Sequence, residues 1–364
     1  MKIIIYLGHP AHFHLFKNII LNLTNGKHQI KILIKEKDVL EQLIESTVWN
    51  YQNILAEGRK DNKLGMFIGV LKRDLRLYKI CRNFRPDLLI GTSVENSHIS
   101  KLLGIPSISV NEDDADVVPL YAKITYPWAS VILSPDVCNN FKWNSKTINY
   151  SGYHELAYLH PNHFQPDKEI VRKYFSPEAP YFIIRFAKLK AHHDVGIKGI
   201  DIEIAKSLID ILKPFGKIFI SSERELENEL ESYRININPI DIHHVLEFAK
   251  IYIGDSQTMA AEAGVLGTPF IRFNDFVGKI GYLNELENKY KLGFGFKTNQ
   301  VKEMLRKVKE LLQMKNIKQE FQRRRQKMFA DKIDVSKFMT WFIENYPESV
   351  RIMKENPDYQ YRFK

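Results

Sequence analysis

The sequence predicts an α/β protein made of two doubly wound, Rossmann-like domains. Three observations lead there. Short apolar runs alternate with amphipathic stretches through the first 150 residues, and a second alternation begins near residue 181. Strands that alternate with helices imply a parallel sheet covered on both faces. The chain has 364 residues, more than one hydrophobic core usually supports. The segment GDSQTMAAEAGVLGTPF, Gly254 to Phe270, also runs from strand end through a tight turn and a helix to the next strand.

The first domain is expected over residues 1–150. Its apolar runs place strands at Ile3–Leu7, Gln29–Ile34, Asp87–Ile90, Ser107–Val110, Ser130–Leu133 and Thr147–Tyr150. Between them, amphipathic patterns place helices at Leu15–Leu23, Val39–Glu45, Met66–Cys81, Ser97–Leu103 and Tyr121–Tyr126. Residues 151–180 hold four prolines and little periodicity, and read as an interdomain connection. The second domain is expected over 181–346. It begins with strand Tyr181–Arg185, helix Gly199–Leu212, strand Lys217–Ser221 and helices Arg224–Tyr233 and Ile242–Ala249. Strand Ile251–Gly254, helix Thr258–Leu266, strand Pro269–Arg272 and helices near 300–313, 316–329 and 335–345 follow. The tail, 347–364, is charged and Pro-punctuated, either packed on the first domain or loose.

Composition narrows the function classes. The formal net charge is +10, which suits nucleic acid, an anionic membrane surface or anionic substrates. No zinc-finger or RNP-type motif supports nucleic acid. The basic run Arg323–Arg324–Arg325 reads as a solvated helix face, with attraction to an anionic membrane as the alternative. Cys81 and Cys138 are the only cysteines, which argues against a disulfide framework and fits a reducing cytosol. The chain opens directly on the strand KIIIYL, so no signal peptide is expected. No apolar run approaches the roughly 20 residues that span a bilayer. A cytoplasmic protein is expected, with peripheral contact at the inner face of the membrane as an option.

Gly254–Glu262 carries the sharpest site expectation. A tight Gly turn at a helix N-terminus exposes unpaired amides, and the dipole favours an anion. Ser256 and Thr258 add hydroxyls for a phosphate, and Glu262, one turn on, is placed to accept two ribose hydroxyls. Asp255 and Gly254 complete the turn. An ordinary helix cap at Asp255 or Ser256 is the alternative. Two doubly wound domains place ligands at the carboxyl ends of their strands, in a cleft to which both contribute.

Other strand-end loops share that address. His9, His12 and His14 crowd the first turn. His12 is the candidate base or substrate contact, against simple capping or packing at the helix start. Glu95 follows the strand at Gly91, and Glu112 and Asp113 lead an acidic loop in which clustered carboxylates raise one another's pKa. Arg185 opens the second domain with a planar fork suited to phosphate, followed by His192, His193 and Asp194. Ser222 ends a strand, and His243 begins a helix that could meet the base. No carboxylate completes a metal site with the histidines of the first turn, so neither a metal nor a cofactor is expected.

Taken together, PAHFHLF, GTSVENS, SVNEDDADV, YSGYHELAYL, RFAKLKAHHDVGIKG, DIHHVLEFA and GDSQTMAAEAGVLGTP resemble the domain of unknown function 354 family, up to about residue 312. That family is similar to the glycosyltransferase-B superfamily, near the UDP-N-acetylglucosamine 2-epimerases. The resemblance implies two Rossmann-like domains facing a cleft, Ser256 and Thr258 on UDP phosphates and Glu262 on ribose. It sets Glu112 near the epimerases' strand-end His–Val–Glu–Ala–Gly segment, and His192 or His193 near their His–Arg–Arg segment. The epimerases' Gly–Gly after Ser is Gln257–Thr258 here, and their distal Glu–Glu–x–Asn–Arg segment is not recognisable. The expected activity is transfer from a nucleotide-sugar donor, UDP-linked, to a saccharide or lipid-linked acceptor. The alternatives are a 2-epimerase or nucleotide-sugar hydrolase, and a non-catalytic nucleotide-sugar binder.

Overall fold

In a computed structural model, which describes residues 1–35, 38–55, 57, 63–187 and 199–364, KIIIYL forms strand β1 (Lys2–Leu7) of a seven-stranded sheet. Helix α1 (Pro10–Asn25) leads to β2 (Gln29–Ile34), α2 (Asp38–Glu45), β3 (Tyr51–Asn53), α3 (Lys63–Phe84) and β4 (Leu88–Gly91). Then come α4 (Val94–Leu103), β5 (Ser107–Val110), α5 (Pro119–Thr125), β6 (Val131–Pro135) and β7 (Thr147–Tyr150). The strand order is β3-β2-β1-β4-β5-β6-β7, and every pairing is parallel. Such strands are covered on both faces, so they are apolar without alternation: Ile3, Ile4, Ile5, Leu89 and Ile90 are all fully buried. The chain winds outward from β1 in one direction and from β4 in the other. The carboxyl ends of β1 and β4 therefore flank the switch point, where open α/β sheets bind ligands.

The second sheet repeats this plan. Helix α6 (Lys168–Arg172) precedes β8 (Tyr181–Phe186), α7 (Ile202–Leu212), β9 (Lys217–Ser222), α8 (Ile242–Phe248) and β10 (Ile251–Gly254). Helix α9 (Gln257–Leu266), β11 (Phe270–Phe273), α10 (Gly281–Asn288), β12 (Gly293–Phe296), α11 (Val301–Gln313) and α12 (Ile317–Asp331) complete it. The order β12-β11-β10-β8-β9 is again all parallel, with its switch point between β8 and β10.

Two compact units emerge, residues Met1–Tyr158 with Ile333–Lys364, and Leu159–Lys332. Helices α13 (Val335–Glu344) and α14 (Glu348–Glu355) thus belong with the first sheet, whereas the sequence reading put 335–346 in the second domain. Ile333 donates its amide to Ser151 O (3.0 Å), and the Ser151 amide bonds Gln360 Oε1 (2.5 Å). The tail is packed, with Trp341, Tyr359 and Phe363 stacked on one another. Ser151–Leu159, read as the start of a connection, is buried throughout.

The expected helix Arg224–Tyr233 is instead a loop ending in one 3-10 stretch, Asn228–Tyr233. Only Leu226 and Leu230 of this acidic segment are buried, and Ser222 Oγ captures the Arg224 amide and carbonyl, turning the chain away. The chain then lies beside β9, with the Ile235 amide bonding Ile220 O (3.0 Å).

Gly91 ends β4 at φ +144°, where an added Cβ would lie 2.4 Å from the Tyr6 carbonyl oxygen. A backbone atom in an inner strand cannot step aside, so Gly91→Ala is expected to cost about 2 kcal/mol or more by urea unfolding. Wild-type stability in that variant would contradict the close approach.

Candidate functional site

The second unit builds the clearer site. β10 ends at Gly254, in register with Arg185 of β8 on one side and Arg272 of β11 on the other. An added Cβ at Gly254 would meet Arg185 Cβ at 2.9 Å and the Tyr252 hydroxyl at 2.5 Å, so the row has room only for glycine. Asp255 follows, 1% exposed. Its carboxylate accepts the Ala187 amide (2.6 Å) and the Ile200 amide (3.3 Å). Its carbonyl accepts Asn274 Nδ2 (3.0 Å). Burial pushes the Asp255 carboxyl up to about 6, while the Ala187 amide, Arg224 and the Ile200 amide favour the charged form. Asp255 is thus spent on the scaffold. Its expected place as a nucleotide contact is not where the geometry puts its carboxylate.

Ser256 caps α9, its hydroxyl accepting the Met259 amide (3.4 Å). The first two helical amides, Gln257 and Thr258, have no acceptor within the helix. Ser256, Gln257 and Thr258 are the partly exposed residues of this segment, between a buried strand and a buried helix. Glu262 lies one turn deeper, 4% exposed, with Oε1 3.0 Å from Nε2 of the equally buried His243 at the start of α8. The two sequence candidates, 19 residues apart, meet here.

Arg185 points its fork toward the strand ends. Nη1 donates to Ser221 Oγ (2.7 Å), Nη2 pairs with the exposed Glu223, and Nε is buried with no partner among the described residues. Ser222 does not join it, since its hydroxyl serves Arg224. Arg272 was missed by sequence reasoning. It is fully buried, bonds Glu287 through Nε (2.8 Å), and keeps Nη1 and Nη2 without partners among the described residues. A lone Arg in the short strand FIRF looks like a chance residue, and only its register with Gly254 gives it meaning. His192, His193 and Asp194 lie outside the described residues.

In the first unit, His9 caps α1 by accepting the Ala11 amide at Nδ1 (3.2 Å), ahead of Pro10 at the first helical position. His12 Nδ1 accepts the Gly8 amide (3.1 Å), which places the neutral ring's proton on Nε2. His14 is buried between the Phe13 and Tyr158 rings. Glu95 is buried against Arg73, Nε to Oε1 2.5 Å, and so is an internal ion pair rather than an open contact.

Glu112 and Asp113 sit differently. Glu112 Oε2 accepts the His154 amide (3.0 Å), and Oε1 lies 3.4 Å from His154 Nδ1. His154 is 8% exposed, and its Nε2 is buried with no partner among the described residues. Asp113 is half-buried. Burial, then the neighbouring Glu112, pushes its carboxyl up to about 7; His154 opposes the rise and Asp114 adds to it. Sequence reasoning passed over His154, although YSGYHELAYL starts at the carboxyl end of β7, the same address as every other candidate loop.

Two parallel sheets wound this way, each with its polar residues at the strand ends, define a protein of the glycosyltransferase-B fold. The chain belongs to the family described as Protein of unknown function (DUF354), which matches residues 1–337. Among solved structures, the Staphylococcus aureus MnaA–UDP complex is similar at TM-score 0.66 and 12% identity, covering 96% of this chain and 97% of that one. A Listeria monocytogenes protein assigned as a UDP-N-acetylglucosamine 2-epimerase is similar at TM-score 0.64 and 11% identity, over 88% and 90%. The Streptomyces glycosyltransferase SsfS6 with thymidine diphosphate follows at TM-score 0.59 and 13% identity, over 94% and 99%. No curated protein matches the chain.

Two outcomes test these geometries. Glu95→Gln strands a buried guanidinium without its counter-charge and should lower stability by about 3 kcal/mol in chemical unfolding; no change would mean that the pair is not buried. For Asp113, the folded carboxyl holds its proton far more tightly than the ordinary value of 3.8. The stabilisation it brings is complete below about pH 4 and lost as pH rises through about 7. Against Asp113→Asn, wild-type stability should fall across that window by on the order of 2 kcal/mol, since a half-buried group keeps part of its hydration. Parallel stability–pH curves would refute the raised carboxyl.

Proposed function

We propose that the protein is a nucleotide-sugar-dependent glycosyltransferase using a UDP-linked donor, for synthesis of a surface polysaccharide or glycolipid. The observation that carries this is the turn Gly254–Thr258. It offers the first amides of a ten-residue helix, which have no acceptor within the helix, and two partly exposed hydroxyls at the sheet's switch point. The second unit takes the donor. The amides of Gln257 and Thr258 and the hydroxyls of Ser256 and Thr258 hold the diphosphate, Arg185 exchanging Glu223 for it. Glu262, steadied by His243, accepts from the ribose. The likeness to a UDP complex and a thymidine diphosphate complex supports a nucleoside diphosphate as the ligand class.

The first unit takes the acceptor. Its hydroxyl proton passes to Asp113, whose raised pKa suits proton uptake near neutrality; Glu112 and His12 are the other proton-transfer candidates. The acceptor oxygen bonds the anomeric carbon as that carbon's bond to the diphosphate oxygen breaks, the electron pair leaving with the diphosphate. A second reading, epimerisation or hydrolysis of the nucleotide sugar, is favoured by the adjacent Glu112 and Asp113 carboxyls and by the likeness to the Listeria protein.

Thermal shifts with UDP, GDP, CDP, CMP and UDP-sugars, without metal, test the donor site. UDP or a UDP-sugar at saturating concentration should raise stability by ~2–3 kcal/mol. Thr258→Val and Glu262→Ala should abolish that shift. If no nucleotide moves the transition, the donor site is wrong. Consumption of a UDP-sugar without any acceptor would favour the second reading, and binding without turnover on any acceptor would leave a nucleotide-sugar binder.

A further inference from the structure

Helix α3 is apolar on two opposite sides. One side packs Leu77 and Cys81 onto the sheet among Ile4, Tyr6, Leu33 and Leu89. The other faces solvent, yet Phe67 is 60% exposed, Ile68 43%, Leu71 46% and Leu75 64%. Positions 67, 71 and 75 lie one turn apart with 68 beside them, so they form a single stripe along the first half of the helix. A helix laid on a sheet needs one apolar face; the outer one should be polar, and a grouped apolar stripe marks a contact surface.

The second half of that outer face is basic. Lys79 and Arg82 are exposed there, and Lys72 is exposed between Leu71 and Leu75. The acids nearby offset little of this charge: Asp74 bonds His98 (2.9 Å), and Glu57 takes Lys72 (3.4 Å) and Arg76 (2.7 Å). No acid pairs with Lys79 or Arg82 among the described residues. A second copy of the chain would bring like charges together on this face. An anionic bilayer meets both halves, apolar side chains entering the acyl boundary and cations meeting the head groups. No helix among the described residues is long and apolar enough to cross a membrane, so α3 would lie along the surface.

The alternative basic surface falls away. Arg323 and Arg324 both bond Glu320, and Arg325 donates to Val265 O (2.8 Å) and covers the Phe329 ring, so that run is engaged within its own unit.

We propose that the outer face of α3 docks on an anionic lipid surface, with Phe67, Ile68, Leu71 and Leu75 inserted and Lys79 and Arg82 on the head groups. The surface belongs to the first unit, and the proposal holds whether or not the donor site of the second unit binds a nucleotide. Co-sedimentation of the full chain with phosphatidylglycerol vesicles, against phosphatidylcholine vesicles, tests it. Binding to the anionic vesicles, weakened by salt, is expected. Phe67→Ser with Leu71→Ser, and separately Lys79→Glu with Arg82→Glu, should each reduce it by at least about tenfold. The substituted side chains are exposed, and thermal melts verify that both variants stay folded. No binding of the wild type to phosphatidylglycerol, or equal binding by both variants, overturns the proposal. A wild-type dimer that Leu71→Ser converts to monomer would also overturn it, giving the face to a second copy.

Discussion

The second unit is organised around one buried carboxylate. Asp255 accepts amides from Ala187 and Ile200, gives its carbonyl to Asn274 and its amide to the Arg185 carbonyl (3.3 Å). These bonds tie together the carboxyl ends of β8, β10 and β11 and the two residues that bracket 188–198. Taking a carboxylate out of water is costly unless such donors replace the solvent. Here they do, and the result is a rigid base under the turn. Arg185, Gly254 and Ser256 can be presented at fixed spacing only because the strands carrying them cannot slide.

The first unit meets the same demand with different chemistry. Its acidic loop is steadied by a histidine rather than by backbone amides: Glu112 is held at both oxygens by His154, through the ring and the main chain. The Cys138 thiol on Glu112 O and the Asn139 amide on Asp114 fix the rest of the loop. Asp113 is left between these anchored neighbours, and burial first, then the Glu112 charge, makes its environment favour the protonated form. Two adjacent carboxyls thereby acquire different characters, one hydrogen-bonded by His154 and one close to neutral titration.

Most of the fold was legible because both sheets are parallel. Runs such as KIIIYL, QIKILI and IYIG are continuous and apolar, and helices with one wet face separate them. β3 and β12 escaped because YQN is short and polar and GFGF is half glycine; their pairing partners, not their composition, make them strands. Helix α10, whose sequence GYLNELEN is mostly polar, was hidden for the same reason. The strand-end loops were found because position alone identifies them. The contacts within them were not. That Glu95 answers Arg73 across 22 residues, and that His154 answers Glu112 across 42, depends on which strands lie side by side. Cap, scaffold and ligand roles look alike in a loop of hydroxyls and acids, and burial separates them.

The return of 333–364 to the first unit makes the second an insertion in the chain of the first. Residues 159–332 are contiguous and have every strand of their sheet once α12 has been synthesised. The unit begun first must wait for Val335 to pack against Gly152 and for Gln360 to reach the Ser151 amide. On the ribosome the later-started half can therefore finish folding before the earlier one. A truncation at the C-terminus, though far from β1 in sequence, would strip the first unit of α13 and α14 and leave the inserted one whole.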